Sequence, residues 1–269
     1  MENIITLANG RKLDINNLEI TEKVIKKKAV KQPKGFIIYQ GNSVLDNAPI
    51  VAVATMETAN EKTGNMVQVW IIRSDISPVQ AVRENKDVSI CGNCPHRHNL
   101  NGACYVQPFQ APLAVYNGFV KGLYPVFDSN NVNHVKAFEG RSIRLGAYGD
   151  PAAIPFEIWE NILKFTKSHT AYTHQIHHKN FDVRIADICM ISCDTQKEAE
   201  RCHKKGFKTF RVKTENMEML KGEILCLSES KGINCLACGI CKGKEAPINI
   251  VINVHGMRKR RFDKFERII

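Results

Sequence analysis

The sequence predicts an α/β protein, a partial or complete parallel β/α barrel that carries an N-terminal β-rich segment and cysteine-cluster loops. Three observations predict it. Val- and Ile-rich runs open the main body, strand-like and helix-like segments then alternate to the end, and two cysteine sets interrupt that alternation. At 269 residues with 43% hydrophobic content, the chain can fill a core of that size.

Residues 1–34 read as a basic N-terminal extension, bounded where Pro33 and Gly35 interrupt a lysine run. Residues 35–256 form the expected metal-binding domain, and 257–269 a basic tail. From Gly35, the stretches GFIIYQ, APIVAVATM and MVQVWIIRS predict antiparallel strands, the last two joined through residues 61–65. Pro95, Asn99, Asn101 and Gly102 then mark an irregular loop around the first cysteine set. Next, APLAVYNGFVKG has helical spacing, RSIRLGAYGD is strand-like, and IPFEIWENILKFTK is an amphipathic helix with Pro155 at its first turn. Residues 171–176 and ADICMIS predict strands. Asp194 or Thr195 caps a helix over TQKEAERCHKKG that stops at Gly206. FKTFRVK, GEILCLSE and INIVINVH supply the last strands, and six parallel strands with right-handed crossovers would close part or most of a barrel.

No apolar run of membrane-spanning length occurs, and the first residues lack the apolar stretch of a secretory signal, so the expected location is the cytoplasm. There, ten cysteines point to metal or redox chemistry rather than disulfides. The net charge of +11 is concentrated: six Lys lie in residues 23–34, and six Lys or Arg against two acids in residues 258–267. The body between is close to neutral. The basic ends are either solvated or an electrostatic hold on a polyanion such as DNA, RNA or anionic lipid. Neither run interleaves aromatics, so base stacking is not expected.

Cys235, Cys238 and Cys241, two residues apart, wrap one face of an iron–sulfur cubane more naturally than a zinc ion, whose thiolates usually come from separated pairs. Cys226 offers a fourth ligand, and Gly239 and Gly243 permit tight turns. The set Cys91, Cys94 and Cys104 has three thiols. It is a closed zinc site completed by His96 or His98, a cubane with one open iron, or part of a mixed site drawing on both sets. Cys189, Cys193 and Cys202 read as ordinary thiols. His174, His177 and His178 read as a polar edge before they read as a metal site, and His255 as a structural histidine before a pocket residue. No phosphate-loop, GxSxG or HExxH pattern occurs, which leaves hydrolase and nucleoside-triphosphatase readings without support.

The order of a three-cysteine loop, a helix, a strand ending in GAYGDP and further strand–helix units resembles the radical S-adenosylmethionine superfamily over about residues 88–255. The resemblance implies a 4Fe-4S cluster on Cys91, Cys94 and Cys104, with S-adenosylmethionine bound at its open iron. It implies that Gly149 and Asp150 meet the amino group of that cofactor, Asp150 as acceptor, and that Ser192 and Asp194 lie near its ribose. It further implies an auxiliary cluster on Cys226, Cys235, Cys238 and Cys241. The family's usual loop is C-x3-C-x2-C, whereas this chain has C-x2-C-x9-C. The chain is also similar to uncharacterised phage and plasmid proteins that share a CxxCP…CY loop, a YGDPA turn and a late cysteine triplet; these supply no activity, and a viral source would place the protein in the host cytoplasm. From another class, closed structural zinc sites with functional basic ends would make a nucleic-acid-binding or assembly protein.

Overall fold

Alternating and continuous runs of β-branched residues build one sheet of nine strands. The structure, a computed structural model, describes residues 4–6, 12–14, 19–20 and 33–266. It divides at residue 32 into two units. In the first, β1 (Ile4–Thr6), β2 (Lys12–Asp14) and β3 (Glu19–Ile20) pair antiparallel in sequence order. The lysine run at 23–32 lies outside the described residues.

The second unit opens with β4 (Gly35–Asn42), β5 (Pro49–Thr55) and β6 (Val67–Arg73), paired antiparallel as the Val/Ile runs predict. Residues Ile50–Ala54 of β5 are wholly buried, because this strand has neighbours on both edges and packing on both faces. After β6 come α1 (Pro78–Arg83), capped by Ser77, and α2 (Val88–Cys91), which delivers the first cysteine. The helices α3 (Ala111–Val120) and α4 (Val132–Phe138) lead to β7 (Ser142–Tyr148), which returns parallel to β6.

Parallel units then follow. α5 (Phe156–Leu163) buries Trp159, whose indole N–H donates to the Pro151 carbonyl at 2.9 Å, and β8 (Ser168–Thr173) pairs with β7. The expected strand at 171–176 thus begins earlier. ADICMIS splits into α6 (Ile185–Ile188) and β9 (Met190–Cys193), a correction of the single strand expected there. The apolar run is too short for periodicity to separate a buried turn from a strand. α7 (Gln196–Lys204) starts with a full capping box between Thr195 and Glu198 and ends at Gly206, φ +82°. The remaining elements are β10 (Thr209–Lys213), β11 (Glu223–Leu225), α8 (Leu227–Ser230), α9 (Cys235–Cys238), β12 (Asn249–Asn253) and α10 (Lys259–Glu266).

The sheet order is β11-β12-β10-β9-β8-β7-β6-β5-β4, parallel from β6 onward, with β11 and β4 as its two edges. The α/β class is therefore observed. β11 lies outside β12 rather than between β10 and β12, a swap that the order of the strand signals did not reveal. The basic segment expected as a tail at 257–269 contains α10. Phe262 of α10 is buried, and the Arg258 guanidinium donates to the Gly102 carbonyl at 3.4 Å.

Candidate metal centres at the two cysteine sets

Parallel strands deliver the residue after each strand to one edge of the sheet, the position where α/β proteins place their ligands. Here that edge collects the cysteine loop after β6, Asp150 after β7, His174 and Gln175 after β8, and Asp194 after β9.

Asp150 is the hub. One carboxylate oxygen accepts the Ala152 N–H at 3.0 Å and the Thr173 hydroxyl at 2.7 Å. The other accepts the His174 N–H at 2.8 Å and the Gln175 side-chain amide at 3.3 Å. Gln175, fully buried, also donates to the Cys91 carbonyl at 2.9 Å and accepts the Asn93 N–H at 2.9 Å. The carboxylate thus ties the ends of β7 and β8, through Gln175, to the backbone between Cys91 and Cys94. Its lone pairs are engaged by protein donors, whereas the resemblance assigned it to a cofactor's amino group. Gly149, φ +80°, packs where a Cβ would lie 2.7 Å from Ile71 Cβ, which explains glycine in this turn. Ser192 faces the sheet beside Phe210, mid-strand and half-buried.

The loop is held by further bonds. Cys104 N–H donates to the His96 carbonyl at 3.0 Å, and the buried Arg97 donates to Asp87 at 2.9 Å and Asn85 at 2.8 Å. Burial pushes the Cys91 thiol well up and the Cys104 thiol to about 11, and their proximity to Cys94 pushes both the same way. Such thiols become thiolates when a cation binds them. The Tyr148 hydroxyl is buried with no hydrogen-bond partner, close enough to Cys91 and Cys104 for their charge to raise it.

His174 approaches this set. His98 Nε2 is bonded to the Val106 carbonyl at 2.7 Å. Burial alone would lower the His174 imidazole, but the Cys94 sulfur and the Asp194 carboxylate outweigh it and hold it well above the usual histidine value. Burial would raise Asp194; hydrogen bonds from His174 and His96 bring it below the ordinary carboxylate range instead. His177 and His178 take no part in this group, in keeping with a polar edge.

The second set packs against the same sheet face. Cys226 caps α8 at the end of β11, and its N–H donates to the Val251 carbonyl at 2.8 Å. Asn234 caps α9, which carries Cys235 and Cys238, and Gly239 ends it in the left-handed region. Cys241 meets Tyr172, and burial pushes its thiol up to about 12. One pocket is lined by all four cysteines together with Thr170, Tyr172, Ile240 and Ile250. Inside that group the Thr170 hydroxyl is buried without a hydrogen-bond partner. The Arg144 guanidinium, beside Cys235 and Tyr172, donates to the Tyr105 hydroxyl at 2.9 Å, while its Nε has no hydrogen-bond partner. A half-buried cation without a carboxylate partner suits a neighbour of negative charge, which a metal-bound tetrathiolate would supply.

Thr170 and Tyr172 alternate along β8 beside the second cysteine set, and His174 follows in the turn just past the strand end. Among the described residues, His96, His174 and Asp194 are the group whose ligand atoms lie mutually within 4.8 Å, and no three cysteine sulfurs come that close. A tetrahedral zinc with arms of about 2.3 Å would hold its sulfurs about 3.8 Å apart. A cubane carries its thiolates on separate irons and spaces them more widely.

No protein-family model, curated protein or solved structure matches the chain. Cys193 and Cys202, 4.0 Å apart and buried between β9 and α7, and buried Cys189 stay outside both sets, as ordinary thiols. No helix among the described residues is long and apolar enough to cross a membrane.

Proposed function

We propose that this chain is an iron–sulfur enzyme of the radical S-adenosylmethionine type, with an open 4Fe-4S centre on Cys91, Cys94 and Cys104 and a closed one on Cys226, Cys235, Cys238 and Cys241. The observation that carries the reading is that, among the described residues, no three sulfurs of either set lie mutually within 4.8 Å, whereas one tetrahedral ion would gather them to about 3.8 Å. The two orphaned hydroxyls support it: Tyr148 beside the first set and Thr170 beside the second are donors suited to cluster sulfides. The parallel run from β6 to β12 curls, in this reading, as the partial barrel that encloses the space between the centres.

When bound, an open cubane supplies an electron to a sulfonium held at its free iron. The protein's own part is positional. Gln175 and Asp150 hold the Cys91–Cys94 backbone, and Arg97 with Asp87 holds the loop behind it. Tyr105, next to Cys104, accepts from Arg144, which lies over the Tyr172 ring beside the second set.

The test is anaerobic reconstitution followed by electron paramagnetic resonance of the reduced protein with and without S-adenosylmethionine. The reading expects the cofactor to shift the signal and the reduced protein to release 5′-deoxyadenosine. An unshifted signal with no 5′-deoxyadenosine would refute the enzyme type, and Cys104→Ala should abolish both responses while leaving the second centre's signal.

A further inference from the structure

We infer that His96, His174 and Asp194 form a binding site for one divalent first-row cation, next to the first cysteine set. Each residue reaches the site from a different element. His96 comes from the cysteine loop, His174 from the turn after β8 and Asp194 from the turn after β9. His96 Nε2 lies 2.9 Å from one Asp194 oxygen, His174 Nε2 lies 3.5 Å from the other, and the three ligand atoms lie mutually within 4.8 Å. These separations bracket the spacing of about 3.3 Å that ligand arms of 2.0–2.1 Å give around a tetrahedral ion. Two imidazoles and one carboxylate are a donor set that zinc and iron(II) both accept, with a further position left for water or substrate.

A buried ion pair is the competing account. Two details favour a cation. Both imidazoles turn Nε2 to a single carboxylate, where one imidazolium would already neutralise it. In addition, the His174 Nε2 contact with Asp194 is long at 3.5 Å, which leaves this buried ring nitrogen weakly engaged by the carboxylate. Such atoms cost free energy unless something else engages them.

The site is also preformed. The His174 N–H is anchored on Asp150 at 2.8 Å, the His96 carbonyl accepts Cys104 N–H at 3.0 Å, and the Asp194 N–H donates to Glu198 at 2.9 Å. The His96 ring stacks on Phe262 of α10, centroids 5.3 Å apart, which shields one side from water. None of these anchors is a cluster cysteine side chain, so the inference holds whether the cysteines carry iron–sulfur or zinc.

The experiment titrates Co²⁺ and Zn²⁺ into the anaerobically purified full-length protein after iron, sulfide and zinc have been quantified. One further equivalent should bind. His96→Ala and Asp194→Asn should each weaken that equivalent at least ~100-fold while iron and sulfide content stay at the parent level. Asp194→Glu, which keeps the carboxylate, should bind more tightly than Asp194→Asn, a ranking that general misfolding would not produce. Absence of a further equivalent would overturn the inference in favour of the ion pair. So would an equivalent retained in His96→Ala and Asp194→Asn but lost in Cys94→Ser. Failure of the iron–sulfur reading would appear separately, in the initial iron and sulfide content.

Discussion

Replacing Asp150 by Asn tests the hub that joins the strand ends to the cysteine loop. The amide oxygen can keep the bonds from Ala152 N–H and the Thr173 hydroxyl, but the new NH2 then faces the His174 N–H and the Gln175 amide. A bond to a charged acceptor contributes about 1.5–3 kcal/mol, and the Gln175 contact at 3.3 Å falls below that range, so losing the pair costs roughly 2–4 kcal/mol. For a chain of this size that lowers Tm by roughly 4–16 °C. Circular dichroism melts of the parent and variant, both stripped of metal, read the effect without contribution from the centres. The purified variant should also retain less iron, because Gln175 loses its second anchor. A melting midpoint within about 1 °C of the parent would refute the hub.

Cys238→Ser should remove about half of the bound iron and leave the first centre's signal, read by iron analysis and paramagnetic resonance. Arg211 and Glu223, both fully buried and paired at 2.5 and 2.8 Å, predict that Arg211→Met costs about 3–5 kcal/mol in urea unfolding, with part recovered in Arg211→Met/Glu223→Leu. Gly149→Ala forces a Cβ to 2.7 Å from Ile71 Cβ at φ +80°, and should cost about 1–3 kcal/mol in the same assay. Burial lowers His169, whose Nε2 lies 3.0 Å from the Ile188 carbonyl. The unfolded chain therefore binds this proton more readily, so stability is full above about pH 6.5 and declines as pH falls below it. His169→Gln should flatten that part of the urea-midpoint profile.

The sequence disclosed most of what is local. Val/Ile runs mark β4, β5 and β6, and Thr195, Glu198 and Gly206 fix both ends of α7, because caps and strand periodicity are written within a few residues. ADICMIS misled because a buried helical turn and a buried strand have the same apolar composition. The edge position of β11 is set by pairing between distant segments, which no local pattern encodes. The second cysteine set was legible as a group because most of its spacing is local. His174 was singled out but read first as part of a polar edge, and Gln175 was not singled out, since both meet the cysteine loop only through the parallel pairing of β6, β7 and β8. Their signal was weak: a histidine and a glutamine just past a strand end, at the edge where parallel sheets gather ligands. The charge pattern likewise hid Phe262, a buried aromatic inside an otherwise basic helix.

The central claim is that both cysteine sets hold clusters rather than single ions, and chemical quantification of metal and acid-labile sulfide in anaerobically purified protein tests it most directly. Two cubanes predict about eight iron and about eight sulfide per chain. About two zinc per chain with no sulfide would contradict the account.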